Sequence, residues 1–161
     1  MLSYDKLEKR EMGGTGMQIM KLLENRLLIN ALAAWIVAQV VKTIIYAIIN
    51  KRLDWERLFG DGGMPSGHSA TVTSLAVTAA LCYGFDSAVF AICAILAIIV
   101  MHDAMGVRLE AGKHARAINE LMQMLESTED PGEKLKELLG HTPLQVISGV
   151  VLGAVVAILL R

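Results

Sequence analysis

Gly62-Gly63-Met64-Pro65-Ser66-Gly67-His68-Ser69-Ala70 is the stretch on which the reading of the fold turns. A glycine pair and a Pro-Ser-Gly turn lead into an apolar run over residues 68–83 that carries a Ser/Thr stripe. A helix that begins at such a turn directs several unpaired backbone N–H groups, and the positive end of its dipole, at one spot. An anion held there would have the His68 imidazole beside it to donate or accept a proton. The plainer alternative is an ordinary turn before a helix, which Pro-Ser-Gly also makes.

Composition says where such a site would lie. The chain has 161 residues, 54% of them hydrophobic and 19% charged, with mean hydropathy +0.50. That is too apolar for an ordinary soluble domain and long enough for one compact domain only. Four stretches read as membrane spans: residues 27–49, 68–83, 88–101 and 143–160. The first suits a hydrocarbon layer roughly 30 Å thick, while the middle two are short and need their polar ends to complete a crossing. A buried soluble helical bundle fits poorly, because these segments offer no polar face to water. The expected fold is therefore all-α and polytopic. A polar segment over residues 1–26 precedes a single four-span domain over 27–161, with a helical surface insert over 109–140.

The N-terminal 26 residues lack the short apolar core and cleavage site of a signal peptide. Residues 17–28 pattern as an amphipathic helix at the interface. Net charge is −1, so no basic field suggests nucleic acid. Cys82 and Cys93 fall in apolar runs, which reads as packing rather than a disulfide or metal pair. Lys and Arg are nearly balanced across the two sides of a four-span topology, so neither is marked as cytoplasmic by charge. That topology puts His68, Arg108, Lys113, His114 and His141 on one side.

Lys42 lies about two turns inside the first span, with Gln39 and Trp35 on the same helical face. An intramembrane lysine costs several kcal/mol unless it snorkels or is paired. It therefore either reaches toward the Asn50 end or binds an anion offered by the turn before His68. Residues 50–67 form a mixed-charge flank with Trp55 as an interfacial anchor. In the insert, residues 109–125 have the spacing of an amphipathic surface helix. Asp130-Pro131 with Glu133 starts a second short helix that ends at Gly140. Thr142-Pro143 with Gln145 repeats the capping pattern and starts the last span, so Gln145 is either a capping partner or a neighbour of His141 one turn away. Gly149 and Gly153 continue that face; a Gly-x-x-x-Gly pair allows close helix approach and offers a homodimer seam.

The turn around His68, the block Asp103-Ala104-Met105-Gly106-Val107-Arg108 with Ala111-Gly112-Lys113, and Gly140-His141-Thr142-Pro143 with Gly149 and Gly153 together resemble one family. It is the type 2 phosphatidic acid phosphatase superfamily, which includes acid phosphatases and vanadium haloperoxidases. The nearest likeness is to its small divergent bacterial membrane branch, from about Trp35 to the C-terminus. The resemblance implies a metal-independent phosphatase, without cofactor, acting on the phosphate of a membrane lipid in the cytoplasmic (inner) membrane. It implies that His141 attacks phosphorus to give a phosphohistidine and that His68 protonates the leaving oxygen. Lys42, Arg108 and the backbone of Ser66 and Gly67 would hold the phosphoryl oxygens.

The chain departs from the family pattern in three places. Lys42 matches the family lysine, but no Arg-Pro follows it, and Arg52 or Arg57 are the stand-ins at hand. Arg108 and His141 are separated by the whole insert, where the family keeps them close. Gln145 stands where the family has an acid; it can fix the tautomer of His141 but brings no charge, which leaves a slower enzyme, one that borrows Asp103, or an inactivated one. Two other readings follow from the residues: a catalytically impaired lipid-phosphate-binding or assembly subunit, and a metal site from His102, Asp103, His114 and His141.

Overall fold

The computed structural model describes residues 18, 20–52, 63–125, 135 and 140–161, and among these residues the architecture is all-helical, with no strand. Five helices follow one another: α1 (Arg26–Asn50), α2 (Gly67–Tyr83), α3 (Ala88–Met105), α4 (Val107–Leu125) and α5 (Pro143–Leu159). Each start but that of α4 has a written cap. Asn25, Ser66, Ser87 and Thr142 accept from the backbone N–H of Leu28, Ser69, Phe90 and Gln145 respectively, satisfying donors that a helix start leaves orphaned.

Two stretches are long and apolar enough to cross a bilayer: Arg26–Asn50, and Ala88–Met124, which joins α3 to α4. Pro143–Leu159 is apolar but shorter. The distribution of side chains supports the same setting. Along α1, Leu32, Ile36, Val40, Ile44 and Ile48 are exposed, while Asn30, Ala34, Ala38 and Lys42 are buried. Both sets recur every fourth residue, so one helix face is bulky and outward and the other small and inward. Ile92, Ile95 and Ile99 of α3, and Ile147, Val151 and Val155 of α5, are exposed in the same way. So continuous an apolar exterior is untenable in water and natural in lipid, where close packing of small residues holds helices together. The chain is a membrane protein.

α2 is the hub, packed against α1, α3 and α5, whereas α4 touches only α3 among the helices. The core is correspondingly lean: Ala34, Ala38, Ala70 and Val156, with Ala33 and Leu152 against them. Gly149 and Gly153 are buried in the α2–α5 seam. A Cβ on Gly149 would stand 2.5 Å from the Ser66 carbonyl oxygen, and one on Gly153 would strike the Ala70 carbonyl. The glycine face expected as a homodimer seam is thus filled within the chain, by α2. Side-chain hydrogen bonds add to the packing: Asn30 Nδ2 donates to Thr78 Oγ1 (3.1 Å), and Ser74 Oγ donates to the Asn30 carbonyl (3.0 Å). Each such bond is worth about 0.6 kcal/mol in a bilayer.

Two boundaries differ from expectation. The amphipathic helix expected over 17–28 is broken: residues 20–23 are helical, but Asn25 is the N-cap of α1, and Leu28 belongs to that helix. A side chain that captures its own downstream N–H outcompetes helical continuation. The third span does not stop at residue 101; α3 runs to Met105, and Gly106 alone separates it from α4, with its N–H bonded to the His102 carbonyl. The second insert helix lies outside the described residues apart from Leu135 and Gly140, as do Trp55 and Arg57. Leu135 is fastened to α4 by both backbone groups, its N–H to Asn119 Oδ1 and its carbonyl from Asn119 Nδ2, each 2.9 Å.

Candidate active site

The site is assembled where α2 and α5 both begin and α3 ends. Ser66 and Thr142 cap the two helix starts. The Ser66 N–H donates to the Gln145 carbonyl (3.0 Å), tying the starts together. His141, one residue before its cap, is 4% exposed, and its N–H donates to the Ala104 carbonyl at 2.9 Å. Its backbone is therefore held to α3 directly and continues within one residue into the cap of α5. Gly140 permits the close approach: its φ is +80°, and a Cβ there would collide with the backbone of Leu109 and Arg108.

His68, the second residue of α2, is exposed, and its ring faces that of His141 with centroids 6.2 Å apart at 57°. Gln145 Oε1 lies 3.2 Å from His141 Nδ1 and also accepts from the Thr142 N–H at 3.0 Å. A carbonyl oxygen only accepts, so Nδ1 donates in this contact; in the neutral ring that tautomer puts the lone pair on Nε2. The two expected roles of Gln145, helix cap and neighbour of the histidine, are realised by one atom.

Of the backbone donors expected to cradle an anion, the Ser66 amide is spent on Gln145; the Ser69 amide, one residue beyond them, is taken by Ser66 Oγ (3.3 Å). Gly67 and His68 carry the remaining first-turn N–H groups. Ser66 Oγ, fully buried, also accepts from Ser69 Oγ at 3.0 Å, which leaves its own proton to be given. Ser69 was not singled out in the sequence; its only signal is the spacing of three residues from the cap. The Trp35 indole lies over Gly67, where an added Cβ would come within 3.5 Å of its Cδ1.

Lys42 is 5% exposed. Its stem runs over Gly63, whose φ is +86° and whose Cβ, if present, would stand 3.0 Å from Lys42 Cδ. The lysine thus turns toward the loop before His68 rather than out along α1. It heads a largely apolar cavity of about 250 Å³ shared with Ile45, Tyr46, Ile49 and Met64. Arg108 is held differently from expectation: its Nε donates to Asp103 Oδ2 at 2.6 Å, with both side chains partly exposed. Its backbone adjoins Gly140, but its charge, and that of Asp103, are engaged with each other. Lys113 pairs with Glu110 on the surface of α4 (2.7 Å). Arg52 is exposed just beyond α1. Among the described residues no group of three or more His, Cys, Asp or Glu side chains is placed to hold a metal ion.

The family described as the divergent PAP2 family matches residues 23–156 of the chain. A Bacillus subtilis (strain 168) protein named "Uncharacterized membrane protein YuiD" is 43% identical over 153 residues, covering 88% of this chain and 97% of its own length. No solved structure matches.

Proposed function

The chain belongs to the divergent PAP2 family, and from that premise we propose that it is a metal-independent lipid phosphate phosphatase working through a phosphohistidine. It would cross the cytoplasmic membrane four times, with α1, α2, α3 and α5 as spans and α4 along the surface. The observation that carries the reading is the pair of facing imidazoles, His68 and His141, at the start of two helices.

The roles are those the family resemblance implies, and the placement of His68 and His141 supports them. His141 Nε2 attacks phosphorus as the ester P–O bond breaks, and His68 gives its proton to the leaving oxygen. Water then attacks the phosphohistidine while His68 takes up a proton, releasing inorganic phosphate and restoring both rings. The Gly67 and His68 amides, the Ser66 hydroxyl and the Lys42 ammonium supply donors for the charge that builds on the equatorial oxygens. The apolar cavity headed by Lys42 suits an amphiphile, with phosphate at the lysine and hydrocarbon along Ile45, Ile49 and Met64. A site at the membrane boundary can take such a headgroup without extracting the tail.

The test is phosphate release from phosphatidic acid, phosphatidylglycerophosphate and undecaprenyl diphosphate, with and without EDTA. Release should survive chelation, fall by about 10²–10⁴-fold in His68→Ala, and vanish in His141→Ala. Full turnover in both variants would sink the mechanism.

A second reading is favoured by Gln145 in the acid's place and by the pairing of Arg108 with Asp103. It is a catalytically impaired subunit that binds lipid phosphate. No release from any of the three lipids, with retention of lipid phosphate by the purified protein, would establish it instead.

A further inference from the structure

The opposite end of the bundle, where α1 begins and α2 and α5 end, carries a second cationic hollow. A cavity of about 490 Å³ opens there, with Arg26 and Arg161 at its rim and Asn30 and Thr78 on its wall beside Tyr83. A neighbouring hollow of about 410 Å³ shares Arg26 and Tyr83 and brings Lys21, with Glu24 as its one acid. Asn30 and Thr78 are buried and hydrogen-bonded to each other, which makes one wall of the cavity polar and fixed.

Among the described residues, no carboxylate forms an ion pair with Lys21, Arg26 or Arg161. Among the described residues neither guanidinium is hydrogen-bonded to the helix ends beside it, where one carbonyl of each is taken by backbone. The Ala80 carbonyl is taken by the Gly84 N–H and the Val156 carbonyl by the Leu160 N–H, each at 3.0 Å. Two guanidinium groups with a phenol and an amide beside them, at a membrane boundary, match a phosphodiester with neighbouring hydroxyls or carbonyls. Leu81 and Ala157 supply an apolar wall where such a headgroup meets its chains.

We propose that this cavity binds the phosphate of an anionic phospholipid headgroup in the leaflet opposite the histidine pair. The shared chemistry is a phosphate anion, and the source is decided by comparing lipid with free phosphate. The inference rests on the membrane setting and on these residues, and is independent of catalysis at His141.

The experiment is a thermal melt of the purified full chain in neutral detergent with dioctanoyl phosphatidylglycerol, dioctanoyl phosphatidylcholine or inorganic phosphate. Phosphatidylglycerol should raise the midpoint by several degrees, equally in the parent and in His141→Ala, which uncouples the effect from the histidine site. The shift should fall by more than half in Arg26→Gln/Arg161→Gln. Should that double variant not fold, Arg26→Lys serves, since it keeps the charge and loses the two-point fork; its shift should also fall. Equal shifts from phosphatidylcholine, or an undiminished phosphatidylglycerol shift in every arginine variant that folds, would overturn the proposal. A shift from inorganic phosphate as large as that from the lipid would overturn the headgroup assignment.

Discussion

The Oε1 atom of Gln145 faces the Thr142 N–H at 3.0 Å and His141 Nδ1 at 3.2 Å. A glutamate would keep the cap and add a charge beside the imidazole, which stabilises the imidazolium that develops as Nε2 reacts. Gln145→Glu is therefore expected to raise turnover roughly tenfold or more, in the spirit of orienting carboxylates elsewhere, with an unchanged melt. Equal or lower turnover with the same melt would leave Gln145 a structural residue. Gly63 gives a second prediction of this kind. Its φ of +86° and the Lys42 stem above it both exclude a side chain. Gly63→Ala should cost about 1–2 kcal/mol through the backbone alone and also displace the lysine. The diagnostic is KM for a lipid phosphate: it should rise more than the melt loss explains, and an unchanged KM would detach Lys42 from substrate. The capping box and the four-residue spacing made Gln145 legible as either a cap or a neighbour of His141, but not that one oxygen would serve both. The pairing of Arg108 with Asp103 was not, because a five-residue spacing decides nothing until the kink between them is known.

Helix starts were legible where an apolar run begins directly behind a turn or a capping box. Ser66, Ser87 and Thr142 start α2, α3 and α5 where the apolar runs begin. The break at Asn25 was hidden because hydrophobic periodicity runs through it, and the single-residue join at Gly106 because glycine reads as readily as a loop. The Gly149/Gly153 face showed that something approaches closely, yet small residues do not say whether the neighbour is the same chain. Its packing against α2 yields a test. Gly153→Leu should lower the melt sharply, overpacking a tight contact by at least about 1–3 kcal/mol, while Ile147→Leu on the outer face of the same helix should leave it unchanged. Equal effects would mean that α5 does not dock on α2 through its glycines.

Seen whole, the molecule reverses the arrangement of a water-soluble protein: Ala, Gly, Ser and Thr lie inside, and isoleucine and leucine outside. Composition made the membrane legible from the start. The number of crossings was read from four apolar runs, two of them short, and it has its own test. In a Cys82→Ala/Cys93→Ala background, Asp86→Cys between α2 and α3 and Glu120→Cys on α4 should react with a membrane-impermeant maleimide from opposite sides of intact cells. Labelling of both from one side would be incompatible with four crossings.

The hydrogen bond from the His141 N–H to the Ala104 carbonyl, with Gly140 against the backbone of Arg108 and Leu109, means that the chain comes back to the point it left. Everything between is, topologically, a detour with adjoining ends. A detour of that sort can be shortened or exchanged for a foreign module by joining two neighbouring points. The protein thus offers a natural port for grafting a reporter beside His141, with the membrane bundle left untouched.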